Sequence, residues 1–342
     1  MTGSGASAFW RLPSAALCAL GMLTCTERPG SPPAMAPQLS QAPEGFWAVW
    51  SDGKAEINGY AVTHPRYGDV RPGEAILIFV TETMRHDARV KTDTERVDSF
   101  PVIKLNAVLD FQTGIYDYNI MTSTFVPLSG ETPRGVATKS TFSMQEWCGN
   151  THAEIRATHE FGEPVSGLSF HTSHYFDDSP VENADLSIPE NAVMADALPV
   201  LVRGLAGSFI APGDTMNAEL LPRLVDVHTR HTAVDWQSSQ LTRSLNSEIT
   251  EVPAGRYATH TVTIKQSDTT VLAYHVEAAP PHRLIAWDGA NGERGELTGS
   301  IRAKYWHQNR LEHAALRNQL GLEPPAWPLQ HSAIEPKNGS EP

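Results

Sequence analysis

Cysteine is scarce in this 342-residue chain, limited to Cys18, Cys25 and Cys148. If the first two fall in a leader and at its processing site, the fold keeps one thiol. An internal disulfide is then excluded, and a chain of this length builds a core without one. Basic residues are also short, with 26 Lys and Arg against 39 Asp and Glu for a formal charge of −13. Such a surface repels phosphate backbones, and no run of Lys or Arg supplies a local basic patch, so nucleic acid is not an expected partner. No phosphate loop, dinucleotide glycine fingerprint, Gly-x-Ser-x-Gly elbow or His-Glu-x-x-His zinc helix occurs. Many common enzyme classes are thereby set aside, and no cofactor or metal is expected.

Long apolar runs are missing as well. The stretch Leu12 to Leu23, apolar apart from Pro13 and Ser14, falls short of the roughly 20 residues that span a bilayer. Arg11 precedes it and is the only charge before Glu27. Residues 1–24 therefore read as a signal peptide, which predicts export to the periplasm, outer membrane or cell surface. Met22-Leu23-Thr24-Cys25 offers Cys25 as a lipidation site, although a lipoprotein box prefers Leu first and a small residue third. Ala34-Met35-Ala36 offers ordinary cleavage instead. The two outcomes are a membrane-anchored and a free exported protein. Residues 25–45, rich in Pro, Ala, Ser and Gln, read as a flexible tether.

Beyond Phe46 the apolar runs are short and frequently punctuated. Ala75 to Val80 has strand length and β-branched character, which predicts a strand buried on both faces. Residues 102–109, 116–126, 138–147 and 168–176 are further strand candidates. Late in the chain 257–265, 271–278, 283–287 and 295–301 follow one another at hairpin distances. Ser187, Pro189 and Glu190 signal a helix start, with apolar residues continuing to Leu205, and a second helix is expected from about Arg310 to Leu320 before Gly321. The fold class expected is mainly β, with antiparallel sheets forming curved-sheet, half-barrel or sandwich modules and few helices. An N-terminal β module over 46–185, a helical joint plus C-terminal β module over 186–325 and a disordered tail over 326–342 complete the organisation.

Three strings carry a resemblance: Trp50 to Glu56 (WSDGKAE), Asp110 to Tyr118 (DFQTGIYDY) and Ser143 to Gly149 (SMQEWCG). Through them the chain, from about Phe46 to Leu322, resembles a little-characterised family of exported bacterial proteins of myxobacterial type. Automatic naming has sometimes called that family septum formation inhibitor Maf. True Maf proteins are cytoplasmic nucleotide pyrophosphatases that open with Ser-x-Ser-Pro-Arg-Arg. The Pro-Arg pairs here, at Arg66, Arg134 and Arg223, have neither the second Arg nor the preceding Ser, so the activity is not carried over. Val252 to Tyr257 with Pro280 to Ile285 is similar to periplasmic carriers of lipids and lipoproteins, whose curved sheet wraps an apolar cavity.

Histidines tempt a metal reading, but strand geometry opposes it. In an extended segment His171 and His174 point to opposite sides, with His174 beside Phe170 and Phe176 towards the core. The same holds for His228 and His231 if 225–234 is extended. Glu146, Cys148 and His152 could supply an orienting carboxylate, a nucleophile and a base, and are the candidate catalytic residues. The bland alternative is a buried Cys at a strand end. Asp110, Gln112, Tyr116, Asp117 and Tyr118 around the Gly114 turn, together with His174, are the candidate ligand-binding residues; a stabilised turn is the plainer reading of the first five. Lys54 and Glu56 would share a strand face, where a cross-strand ion pair is the ordinary expectation.

The expected function is a cell-envelope protein that binds a hydrophobic ligand or lipid. One alternative is an extracytoplasmic hydrolase using Cys148 with His152, or a histidine–carboxylate metal site. Another is an envelope scaffold whose Trp-rich faces contact other proteins.

Overall fold

The computed structural model describes residues 39–323, except 95, 130–131, 160–162 and 175–182. The signal segment, Cys25, most of the tether, the tail and Phe176 lie outside the described residues. A short helix α1 (Phe46–Trp50) leads into a run of consecutive antiparallel strands. These are β1 (Ala55–Arg66), β2 (Asp69–Arg85), β3 (Ser99–Thr113), β4 (Tyr116–Pro127), β5 (Lys139–Glu146), β6 (Gly149–Thr158), β7 (Gly167–His174) and β8 (Asn183–Leu186). A connector follows, made of β9 (Ala192–Met194), a 3-10 turn and α2 (Leu198–Leu201). The second half holds β10 (Thr215–Leu221), α3 (Leu224–Arg230), β11 (Gln237–Arg243), β12 (Glu248–Val252), β13 (Gly255–Gln266), β14 (Thr269–Glu277), β15 (Leu284–Gly289) and β16 (Arg294–Ala303). Among the described residues no helix is long and apolar enough to cross a membrane.

Among the described residues all 16 strands belong to one curved sheet, ordered β8 to β1, then β16, β15, β14, β13, β11, β10 and β9, with β12 added on β13. Pairing is antiparallel except between β9 and β10, and β8 and β9 end the order without pairing to each other, so the sheet is open. The expected boundary near residue 186 does not separate two sheets. Antiparallel pairing of β1 with β16, from Ala55 opposite Ala303 to Thr63 opposite Arg294, makes the halves continuous. Tight turns set the register locally. Tyr67 and Gly68 both hold positive φ between Arg66 and Asp69, as a two-residue hairpin of the twist-compatible kind requires.

Inward side chains from both halves, among them Tyr60, Leu77, Phe79, Leu105, Ile120, Phe142, Ile155, Val262 and Leu284, form one core with the connector. Val193, Met194, Leu198 and Leu201 of that connector are fully buried. The apolar run to Leu205 is thus core filling rather than the single helix expected from Pro189: parallel pairing to β10 draws residues 192–194 into the sheet, and helix starts only at Ala195. Gly135 permits the close approach. A Cβ there would sit 2.0 Å from the Ala192 carbonyl oxygen, and the Met194 amide donates to the Gly135 carbonyl at 2.9 Å. Arg203 anchors the connector's far end. Its guanidinium lies 4.3 Å over the Phe79 ring and pairs with Glu56 at 2.8 Å. Glu56 therefore points into the core, and its ionic partner is Arg203 of the connector rather than the cross-strand residue expected on the face of Lys54 and Glu56.

Residues 75–80 are covered on both sides, as their composition implies. Ala75, Leu77 and Phe79 face the main core, while Ile76, Ile78 and Val80 pack with Ile57, Leu320 and Leu322 on the outer side. Leu320 closes the second expected helix, Leu311–Leu320, which winds as 3-10 turns, and Gly321 ends it at positive φ.

Candidate functional site

Between β1 to β4, the connector and the ends of α3 and β14 to β16 lies a cavity of about 110 Å³. Its walls are largely apolar, including Val62, Leu77, Leu105, Ile120, Pro199, Val225, Leu284 and Trp287. Strand alternation explains this: Tyr60, Val62 and His64 sit two apart on β1 and point inward together. His64 and Tyr274 line the same cavity, beside the charged groups Asp196, Arg223 and Glu293.

Arg223 and Glu293 pair with each other. Arg223 donates to both carboxylate oxygens of Glu293 at 2.7 and 2.6 Å and to both of Asp226 at 2.6 and 3.1 Å. Burial alone would raise Glu293, but the Arg223 charge and its hydrogen bonds outweigh it and hold the carboxyl at about 2. The Trp287 indole adds a bond to Glu293 at 3.2 Å. Asp196 lacks such a partner: burial lifts it to about 7, against the Leu224 amide and the more distant Arg223 charge. One of its oxygens accepts from Leu224 N–H at 3.2 Å and Ser140 at 3.3 Å, so this connector residue holds the start of α3. Burial lowers His64, against the pull of Glu293, and leaves it neutral at pH 7. The His64 Nε2 atom is buried without a hydrogen-bond partner.

None of these five polar residues was singled out from sequence as a site. A signal existed for Asp196, the lone carboxylate in the apolar run Val193 to Leu198. Arg223 stands out in the sequence only as part of a Pro-Arg pair.

Two residues further along β1 and β4 a smaller cleft opens, lined by Arg66, Tyr118, Met144, Glu146, Thr151, His174, His228 and His231. Three candidates from the sequence, Tyr118, Glu146 and His174, meet here. His174 turns inward and His171 outward, as strand parity requires. The extended reading of 225–234 is overturned, because Leu224–Arg230 is helical and His231 follows at positive φ. His228 stacks on Phe142 with ring centroids 4.8 Å apart. Burial first, then the neighbouring His174 and His231, lower it to about 4. Arg66 donates to Tyr118 at 3.1 Å and to the Thr229 carbonyl, capping the end of α3. Among the described residues no group of three or more His, Cys, Asp or Glu side chains has an arrangement that could hold a metal ion.

The hairpin candidates are divided by the sheet. Asp110, Gln112 and Asp117 are exposed on the outer face, whereas Tyr118 is buried and Tyr116 lies beside it at 5.9 Å. Asp117 accepts from Asn119 at 3.0 Å and from the exposed Trp147 at 3.2 Å, a turn-stabilising arrangement. Burial raises Asp110, with Glu74 adding to the effect.

Glu146, Cys148 and His152 do not assemble as a nucleophile set. Cys148 is exposed in the two-residue turn between β5 and β6, rather than buried at a strand end. Its backbone amide donates to Glu146 at 2.7 Å. Glu146 faces inward with Phe142 and Met144, while His152, opposite Ser143, is on the exposed face.

No protein-family model matches the sequence, and no curated protein does. Among solved structures, the chain is similar to a crystal structure described as a β-barrel-like protein of the domain of unknown function DUF1849 from Brucella abortus. The likeness has a TM-score of 0.39 at 7% sequence identity, covering 77% of this chain and 98% of that one.

Proposed function

We propose that this protein is an exported envelope component that holds a small hydrophobic ligand inside its curved sheet. The observation that carries the reading is the interior cavity, whose wall is mostly apolar and whose Arg223 and Glu293 are already paired with each other. Burying apolar ligand surface there contributes roughly 25 cal/mol per Å², so affinity needs no reactive group.

Size restricts the ligand. The cavity, about 110 Å³, is smaller than the ~150 Å³ engineered cavity that accommodates benzene, so with some widening it admits a compact body up to about the size of one small aromatic ring. A lipid would place only a chain end in it. Export and attachment through Cys25 rest on the leader sequence and on the resemblance to exported and carrier-like proteins.

Toluene provides the test. The full-length protein should gain thermal stability with toluene in a saturable way, and Ala107→Leu, which fills the cavity from its half-buried β3 wall, should remain folded and lose the effect. Absence of any toluene response in the wild type, or an undiminished response in Ala107→Leu, defeats the proposal. Cell fractionation tests the location: Cys25→Ser should move an anchored protein from the membrane to the soluble exported fraction.

A further inference from the structure

We infer that the interior cavity selects a neutral ligand bearing a hydroxyl group, such as a phenol or a small alcohol, which hydrogen-bonds to His64 and Tyr274. The inference rests on the hydrophobic-ligand reading and adds the polar chemistry of the ligand. His64 is 5% exposed and Tyr274 is 3% exposed, and both line the cavity. His64 Nε2 is buried without a partner, and neither the imidazole nor the Tyr274 hydroxyl makes a hydrogen bond among the described residues. A buried polar group left unpaired carries a desolvation cost, and a ligand that pairs with it recovers that cost.

Charge decides the ligand class. Two cations line the wall and both are occupied: Arg223 by Glu293 and Asp226, and Arg294 by Asp288 and Glu296. A carboxylate ligand would have to displace them. Glu293 is likewise occupied by Arg223 and Trp287, so the acid left to an ammonium ligand is Asp196, whose ionised form burial disfavours. The groups left without an ion-pair partner are the His64 imidazole, whose charged form burial disfavours, the Tyr274 phenol, and Asp196, whose carboxyl burial lifts to about 7. A hydroxyl can both donate and accept, so it satisfies any of them without a net charge entering the cavity. The apolar walls contributed by Leu105, Ile120 and Trp287 then take the hydrocarbon body.

Phenol and toluene are nearly isosteric and differ by a hydroxyl for a methyl, which isolates this term. Calorimetric titration of the full-length wild type, His64→Leu and Tyr274→Phe with phenol, toluene, benzoate and benzylamine is the experiment. The expected result is a loss of phenol affinity of about ten- to a hundredfold in His64→Leu, and a smaller loss in Tyr274→Phe. Toluene affinity should stay the same or rise in both. Phenol affinity unchanged in both variants, with toluene still bound, overturns the hydroxyl inference and leaves the hydrophobic-ligand reading standing. Benzoate or benzylamine binding more tightly than phenol also overturns it. Binding of neither phenol nor toluene by the wild type removes both proposals together.

Discussion

Arg203 and Glu56 meet at 2.8 Å with side chains 0% and 2% exposed, joining the end of the connector to the first strand of the sheet. The pair is completed by Asn58, which donates to Glu56 at 2.8 Å, and by the His282 carbonyl, which accepts from Arg203 at 2.8 Å. Burial opposes ionisation of Glu56, and Arg203 overcomes it and holds the carboxyl below its ordinary value. Removing one partner leaves an uncompensated charge in the core. Glu56→Gln or Arg203→Met should lower stability by about 3–5 kcal/mol in urea unfolding. The double variant Glu56→Met with Arg203→Met should lose clearly less than the sum of the two.

Gly135 is where the connector's backbone presses on the β4–β5 loop. A methyl group there would collide with the Ala192 carbonyl at 2.0 Å. Gly135→Ala should therefore destabilise by about 1–3 kcal/mol through overpacking and backbone shift, read as a lowered denaturation midpoint.

Asp196 predicts a pH slope of definite sign. Its folded value of about 7 lies above the ordinary 3.8, so the folded state binds the extra proton between those values. Its contribution to stability is fully present below about pH 4 and is lost as pH rises through 7, on the order of a few kcal/mol. Asp196→Asn keeps an oxygen to accept from Leu224 and Ser140 but cannot titrate. Relative to wild type, the variant should gain stability from pH 4 to about pH 7 and then level off; a flat difference across that window contradicts the assignment.

His228 predicts the opposite slope. With a folded value of about 4 against 6.5, the unfolded chain binds the proton more readily between those values. Stability from this group is present above pH 6.5 and falls as pH drops towards 4. His228→Phe preserves stacking on Phe142 and should remove that acid-side loss in denaturation measured across the window.

Much of the architecture was legible because β-sheet periodicity is local. Ala75 to Val80 announced a doubly covered strand, and odd spacing alone placed His171 and His174 on opposite faces, as observed. Residues 224–230 were not legible. Val225, Val227 and Thr229 favour strands, yet the segment is helical because distant groups hold its ends: Asp196 at the Leu224 amide and Arg66 at the Thr229 carbonyl. That helix is what brings His228 and His231 to His174. The cavity's polar groups were hidden for a related reason. His64, Asp196, Arg223 and Glu293 come from four separate parts of the chain and meet only when β1 pairs with β16 around the connector. Residues close in sequence, such as Glu146, Cys148 and His152, were the visible cluster, and the pleat sends Glu146 and His152 to opposite faces.

The space between β4, the connector and Trp287 should admit a small apolar body. Xenon, which occupies apolar cavities without needing polar contacts, locates such a space directly. A crystal pressurised with xenon should show an anomalous density peak bounded by Leu105, Ile120, Pro199 and Trp287. Density only elsewhere, or none inside the sheet, contradicts the account.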